Sequence, residues 1–209
     1  MRILRTFTVF GLCVALLLLS GLNPSNSAEK LPEARVIAVN DGDTVTIVMN
    51  DIKYRVRLIG MDAPEMGQEP WGKRARERLR KLLKEARWRV SVETDAEKYD
   101  KYDRLLVYLW TPDGEMLNER MVRDGYAVLF TIQPNSKYGD RFRQAQHIAR
   151  REKLGIWGPG GLKEAPLDYK KKHPRQQHFR NGEMQVKGQF HFNEPLFYGT
   201  IRAWSNIDG

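Results

Sequence analysis

The 209-residue chain has a single cysteine, Cys13, and four histidines. Cys13 lies inside an N-terminal apolar run. Beyond that run the chain has no disulfide, no thiolate nucleophile and no cysteine ligand for zinc. The histidines do not cluster. His147 falls within a helical pattern, and His173, His178 and His191 fall in the C-terminal stretch. Each reads as a surface or packing residue, and a soft metal centre is disfavoured. The apolar run from Phe7 to Leu19 is shorter than the roughly 20 residues that span a bilayer. There are no internal repeats.

Acidic residues are outnumbered, with 26 Asp and Glu against 35 Lys and Arg, a net charge of +9 and a pI near 9.7. Such a balance attracts polyanions, either nucleic acid or an anionic membrane surface. The N-terminus places Arg2 and Arg5 before the apolar run and small polar residues after it, the order of a secretory signal peptide. Residues 1–27 are therefore expected to be removed, with cleavage after Ser27 or Ala28. This leaves an exported protein, periplasmic or secreted, with a net charge of +7. An uncleaved N-terminal anchor is the alternative. Phe10-Gly11-Leu12 before Cys13 makes a poor lipidation signal.

The 41% apolar content suffices for a packed core. Residues 34–39 read as a strand. Val45, Ile47 and Met49 alternate, as do Tyr54, Val56 and Leu58 after a turn at Asn50-Asp51, predicting a three-stranded meander. Ala75, Leu79, Leu82, Leu83 and Ala86 form an apolar stripe at helical spacing. "WRVSVE" and "RLLVYLW" predict two further strands, and residues 117–124 a short helix closed by Gly125. "YAVLF" is strand-like. Phe142, Ala145, Ile148 and Ala149 mark another helix, with Gly155 as its end. Five strands with a helix after the third predict an α+β fold, a five-stranded Greek-key barrel of the OB type with about three packed helices.

The polar residues carry the functional signal. In "VNDGDTVTI", Asp41-Gly42 between apolar residues is a hairpin signal, and Asp43 opens the next strand. In "RVRLIGMDAPE", Asp62 leaves the third strand, with Glu65 three residues on. A helix-capping reading of Asp62 and Glu65 is limited to one turn, because Gly67 and Pro70 follow at once. The hairpin at Asn50-Asp51 brings Asp43 and Asp62 to one rim. Two such carboxylates suit a hard cation, calcium or magnesium. Arg57 and Arg104 add planar forks that fit phosphate oxygens. A remaining carboxylate, Glu65, can orient or deprotonate water.

"DGDT", "RLIGMDAPE", "DKYDRLLVY", "NERMVRDGYA" and "RREKLGIW" occur in that order. Together they resemble the thermonuclease, or staphylococcal-nuclease-like, family over roughly residues 31–157. The resemblance implies an OB-type barrel and calcium-dependent hydrolysis of DNA and RNA that leaves 3′-phosphates. It further implies Asp43, Asp62 and the Ala63 carbonyl as calcium ligands, and Glu65 as the general base or water-orienting residue. Arg57 and Arg104 would be the phosphate-binding arginines, with Lys101 and Tyr102 at a terminal phosphate. Two positions depart from the family pattern. Asp103 replaces a common Gly, though Asp tolerates the left-handed turn conformation. Phe130 replaces a substrate-facing Tyr and keeps a ring for base stacking. A nucleic-acid-binding module without turnover is the competing function.

Residues 31–158 are expected to form the nuclease-like domain. "GPGGLKEAP" reads as a linker into a basic, aromatic extension, residues 159–209. There Met184, Val186, Phe190 and Phe192 suggest a short strand or hairpin. The extension is a candidate for weak membrane-surface contact or an additional nucleic-acid contact. No obligate protein partner is implied.

Overall fold

The computed structural model describes residues 30–174. The signal-like segment and the expected strand or hairpin around residues 184–192 lie outside them. Alternating apolar residues build five strands of a closed barrel: β1 (Glu33–Val39), β2 (Thr44–Met49), β3 (Ile52–Leu58), β5 (Arg89–Tyr99) and β6 (Leu105–Trp110). Their order round the barrel is β1-β2-β3-β6-β5. All neighbours are antiparallel except β3 and β6, which run parallel with Arg57 opposite Leu106. The parallel pair closes the expected five-stranded barrel. Val45, Ile47, Val56, Leu58, Val107 and Leu109 are buried in its interior.

The β2–β3 connection is a two-residue turn. Asn50 and Asp51 both have positive φ, 50° and 61°, as a hairpin turn of this length requires. The β1–β2 connection is different. Gly42 is not at positive φ; it is needed for space, because a Cβ there would lie 2.6 Å from the Ala63 Cβ and 2.8 Å from the Ala75 Cβ. The small residue lets three segments meet beneath Asp43.

A short strand β4 (Gly60–Asp62) follows β3 and pairs outside the barrel with β7 (Val128–Phe130). Asp62 therefore ends β4 rather than leaving β3 directly, and "YAVLF" contributes to this small sheet and not to the barrel. The buried Asn118 holds the corner between β3 and β4. Its amide nitrogen donates to the Ile59 and Val107 carbonyls, both at 2.9 Å, and its oxygen accepts from the Leu109 N–H. No capping helix begins at Asp62.

Among the described residues four α-helices pack about the barrel where about three were expected: α1 (Trp71–Glu85), α2 (Leu117–Arg123), α3 (Gly139–Arg151) and α4 (Pro166–Lys172). On α1, Ala75, Leu79, Leu82 and Leu83 face the core. Helix α2 ends as expected at Gly125, with φ 74°. Its N–H donates to the Val122 carbonyl and that of Tyr126 to Met121, the bond pair of a Schellman cap. Helix α3 ends earlier than Gly155. Lys153 takes the left-handed position at φ 52°, and the N–H groups of Lys153 and Leu154 donate to Arg150 and Ala149. Gly155 instead opens a 3-10 turn (Gly155–Trp157) against Gly125, where the Ile156 N–H donates to the Gly125 carbonyl at 2.8 Å. His147 is exposed on α3.

Candidate active site

The rim of the barrel at the start of β2 gathers the charged residues. The pairing of Thr44 with Arg57 sets Asp43 beside the end of β3, where its carbonyl accepts from the Leu58 N–H at 2.9 Å. Arg57 then reaches across the rim. Its Nη2 lies 3.1 Å from Asp43 Oδ2 and 3.0 Å from Asp62 Oδ1, so one nitrogen joins the two carboxylates. Arg57 also donates to the backbone carbonyls of Leu58 and Met61.

Each carboxylate has further partners. Asp43 Oδ2 accepts from the Ala63 N–H at 3.2 Å, and Oδ1 from the Thr44 hydroxyl at 3.0 Å. Asp62 is buried, and its Oδ2 accepts no hydrogen bond among the described residues. Burial raises the Asp62 carboxyl above the usual carboxylate range; Arg57 and Lys170 offset only part of this. Burial acts the same way on Asp43, but Arg57, Lys170 and its hydrogen bonds outweigh it and hold Asp43 at about 2. The two acids in turn keep Arg57 above the ordinary guanidinium value despite its burial.

Glu65 is placed by the loop after β4. Its N–H donates to the Gln68 side-chain oxygen at 2.9 Å, and its carbonyl accepts from the Gln68 N–H at 2.8 Å. Gly72 lets this loop pass closely over α1; a Cβ there would lie 2.1 Å from the Glu65 carbonyl oxygen. Gln68 is itself buried and donates to the Glu164 carbonyl at 2.9 Å. Lys170 on α4 joins Glu65 to the rim: its Nζ lies 2.5 Å from Asp62 Oδ1 and 3.2 Å from Glu65 Oε1. Asp43, Arg57, Asp62, Ala63 and Glu65 thus form one connected group.

The other sequence-selected residues are held by different partners. Arg104 is held by Asp100, with Nε at 2.8 Å and Nη2 at 2.7 Å from Oδ2. Asp100 acts on Arg57 through its charge, which is the link between the two arginines. Asp103 adopts φ 56°, the left-handed conformation expected of an acid standing in a glycine position. Tyr102 is exposed, its ring flanked by Lys101 Nζ at 5.1 Å and the Arg104 guanidinium at 5.5 Å. Phe130 pairs with Gly60 across the small sheet.

Sequence reasoning missed Gln68, Asp100 and Lys170, whose roles depend on partners that no local pattern announces. It also undervalued Asp41. This residue accepts the Asp43 N–H at 3.1 Å, and burial together with the Asp43 charge raises its carboxyl from 3.8 to about 6. Asp41 therefore favours folding below about pH 4, and that advantage is lost as pH rises through 6. Asp43 has the opposite sign: its contribution is present above about pH 4 and lost as pH falls toward 2. Asp41→Asn keeps an oxygen for the Asp43 N–H and removes the charge. In chelator it is expected to stabilise the protein at pH 8 by about 1–3 kcal/mol and to match the parent at pH 4. Thermal melts at both values check this, and a lower melting temperature at pH 8 contradicts it.

The site supplies hard oxygen donors. Among the described residues no group of three or more His, Cys, Asp or Glu side chains converges in metal-holding geometry. The protein contribution would rest on two carboxylates and backbone oxygen, with water completing the shell, as hard divalent cations accept. The unpartnered buried Oδ2 of Asp62 fits such a ligand set. The joint presence of carboxylates and arginines suits a phosphate ester beside a cation.

Residues 55–159 match the family described as Staphylococcal nuclease homologue. Endonuclease YncB of Bacillus subtilis (strain 168) is 31% identical over 148 residues, covering 68% of this chain and 69% of the relative. Thermonuclease of Staphylococcus intermedius is 40% identical over 124 residues, 57% of this chain and 72% of the relative. Thermonuclease of Staphylococcus hyicus is 35% identical over 128 residues, 59% and 74% respectively.

Proposed function

The chain belongs to the staphylococcal nuclease homologue family, and from that premise we propose that it is an exported, calcium-dependent nuclease of DNA, RNA or both. The observation that carries the reading is the sharing of one Arg57 nitrogen by Asp43 and Asp62, with Glu65 joined to the same rim. Asp43, Asp62 and the Ala63 carbonyl would hold calcium. Bound there, the ion supplies positive charge to the phosphoryl oxygens and polarises water.

The chain's own residues carry the remaining steps. Glu65 takes the proton of an attacking water at its carboxylate. The water oxygen bonds to phosphorus in line with the 5′-oxygen, whose bond to phosphorus breaks; that oxygen takes a proton from solvent and leaves as a 5′-hydroxyl. The phosphate stays on the 3′ side. Arg57 and Arg104 donate to the phosphoryl oxygens as charge accumulates. Each turns to substrate from a carboxylate it faces in the free protein, Arg57 from Asp43 and Asp62, Arg104 from Asp100. Lys101 and Tyr102 present a cation and a ring to the strand's terminal phosphate, and Phe130 offers a ring for stacking. Export follows from the signal-like order of residues 1–27.

Digestion of plasmid DNA and of RNA with calcium, and again with chelator, tests the reading. Cleavage with calcium, 3′-phosphate ends and loss of at least 10²-fold in chelator are expected. Tight binding with no cleavage in either condition would favour the binding module instead.

A further inference from the structure

Lys170 lies beyond residues 55–159, the part of the chain that matches the family. Helix α4 nevertheless docks on the loop that carries Glu65. Pro166 is buried, the Gln68 amide donates to the Glu164 carbonyl, and the Trp71 indole donates to the Gly160 carbonyl at 3.2 Å. Gly67 makes room for Tyr169, since a Cβ there would lie 2.3 Å from the tyrosine hydroxyl. These contacts aim the Lys170 side chain at Asp62 and Glu65 from the solvent side, where it is about one-third exposed.

An ammonium is a compact point charge that approaches carboxylates much as a hard cation does. Calcium takes carboxylate oxygens as ligands, and Lys170 Nζ already contacts the Asp62 carboxylate at Oδ1. A divalent cation held on the Asp62 carboxylate, whose Oδ2 has no partner among the described residues, would stand close beside the ammonium on Oδ1, and the two repel there. Arg57 differs, since it also donates to the Leu58 and Met61 carbonyls and keeps these partners when it turns from the acids.

We propose that Lys170 is a tethered counter-ion of the cation site, so that calcium loading is an exchange in which Lys170 leaves Asp62, and Lys170 thereby sets the calcium affinity. This rests on the calcium reading above. In the absence of metal the ammonium offsets the repulsion between Asp43, Asp62 and Glu65; with metal it is redundant there.

Calcium titration calorimetry on the full chain, with Lys170→Met and Lys170→Arg, tests the exchange. K170M is expected to bind calcium about tenfold or more tightly than the parent, while K170R stays within about threefold. Thermal melts give a second readout: K170M should melt lower than the parent in chelator and show the larger calcium-induced rise. Equal or weaker calcium affinity in K170M overturns the exchange, whatever happens to cleavage. Absence of calcium binding in parent and variant alike overturns the calcium reading itself, and the exchange with it.

Discussion

Arg57→Ala is expected to lose both activity and stability. Removing Arg57 leaves Asp43 and Asp62, both buried, with Lys170 as the remaining nearby cation among the described residues. Breaking a buried ion pair from one side typically costs about 3–5 kcal/mol, because the remaining charge stays buried and unpaired. Two acids depend on Arg57, but both can take up protons, which limits the loss to that same range. Cleavage should fall by at least 10²–10³-fold, the usual cost of one group that stabilises transition-state charge. Denaturant melts and a plasmid assay separate the two effects. Arg57→Lys sharpens the test: it should recover part of the stability by keeping a charge, yet little activity, since lysine lacks the planar fork. Parent-like melting together with parent-like cleavage in Arg57→Ala would remove Arg57 from both roles.

Glu65→Gln is expected to separate chemistry from folding. The loop around residue 65 is held through its backbone by the paired bonds with Gln68, which Glu65→Gln leaves in place. The side chain's contact with the partly exposed Lys170 adds little to stability. Glutamine preserves size and an oxygen but cannot accept the proton of water at neutral pH. Turnover should therefore drop by about 10²–10³-fold, with the melting temperature and the affinity for a single-stranded oligonucleotide close to parent values. Full turnover in a purified sample would rule out Glu65 as the base.

Much of the fold could be read because its signals are local. The alternation of Val45, Ile47, Val56 and Leu58 reports neighbours two residues apart, and Asn50-Asp51 reports a turn that needs positive φ. The stripe on α1 and the glycine after α2 are equally local. Gly155 misled because glycine is the habitual end of a helix, whereas Lys153 took the left-handed position and Gly155 was needed for close packing against Gly125. Asp41-Gly42 does mark the connection between the antiparallel β1 and β2, but Gly42 serves there for the space it leaves beneath Asp43 and not for a positive φ.

By itself the sequence determined the strand and helix periods, the excess of positive charge, the absence of thiol chemistry past the N-terminal run, and the acids and arginines from which a site could be built. Tertiary structure decided which charges meet. It set Arg57 between Asp43 and Asp62, turned Arg104 toward Asp100, gave Asp62 its own short strand, and brought Lys170 to an acid 108 residues away. The physical reason is range. Periodicity and turn chemistry depend on a few adjacent residues, but an ion pair depends on where the closed barrel delivers segments distant in the chain, and on how much water remains when they arrive.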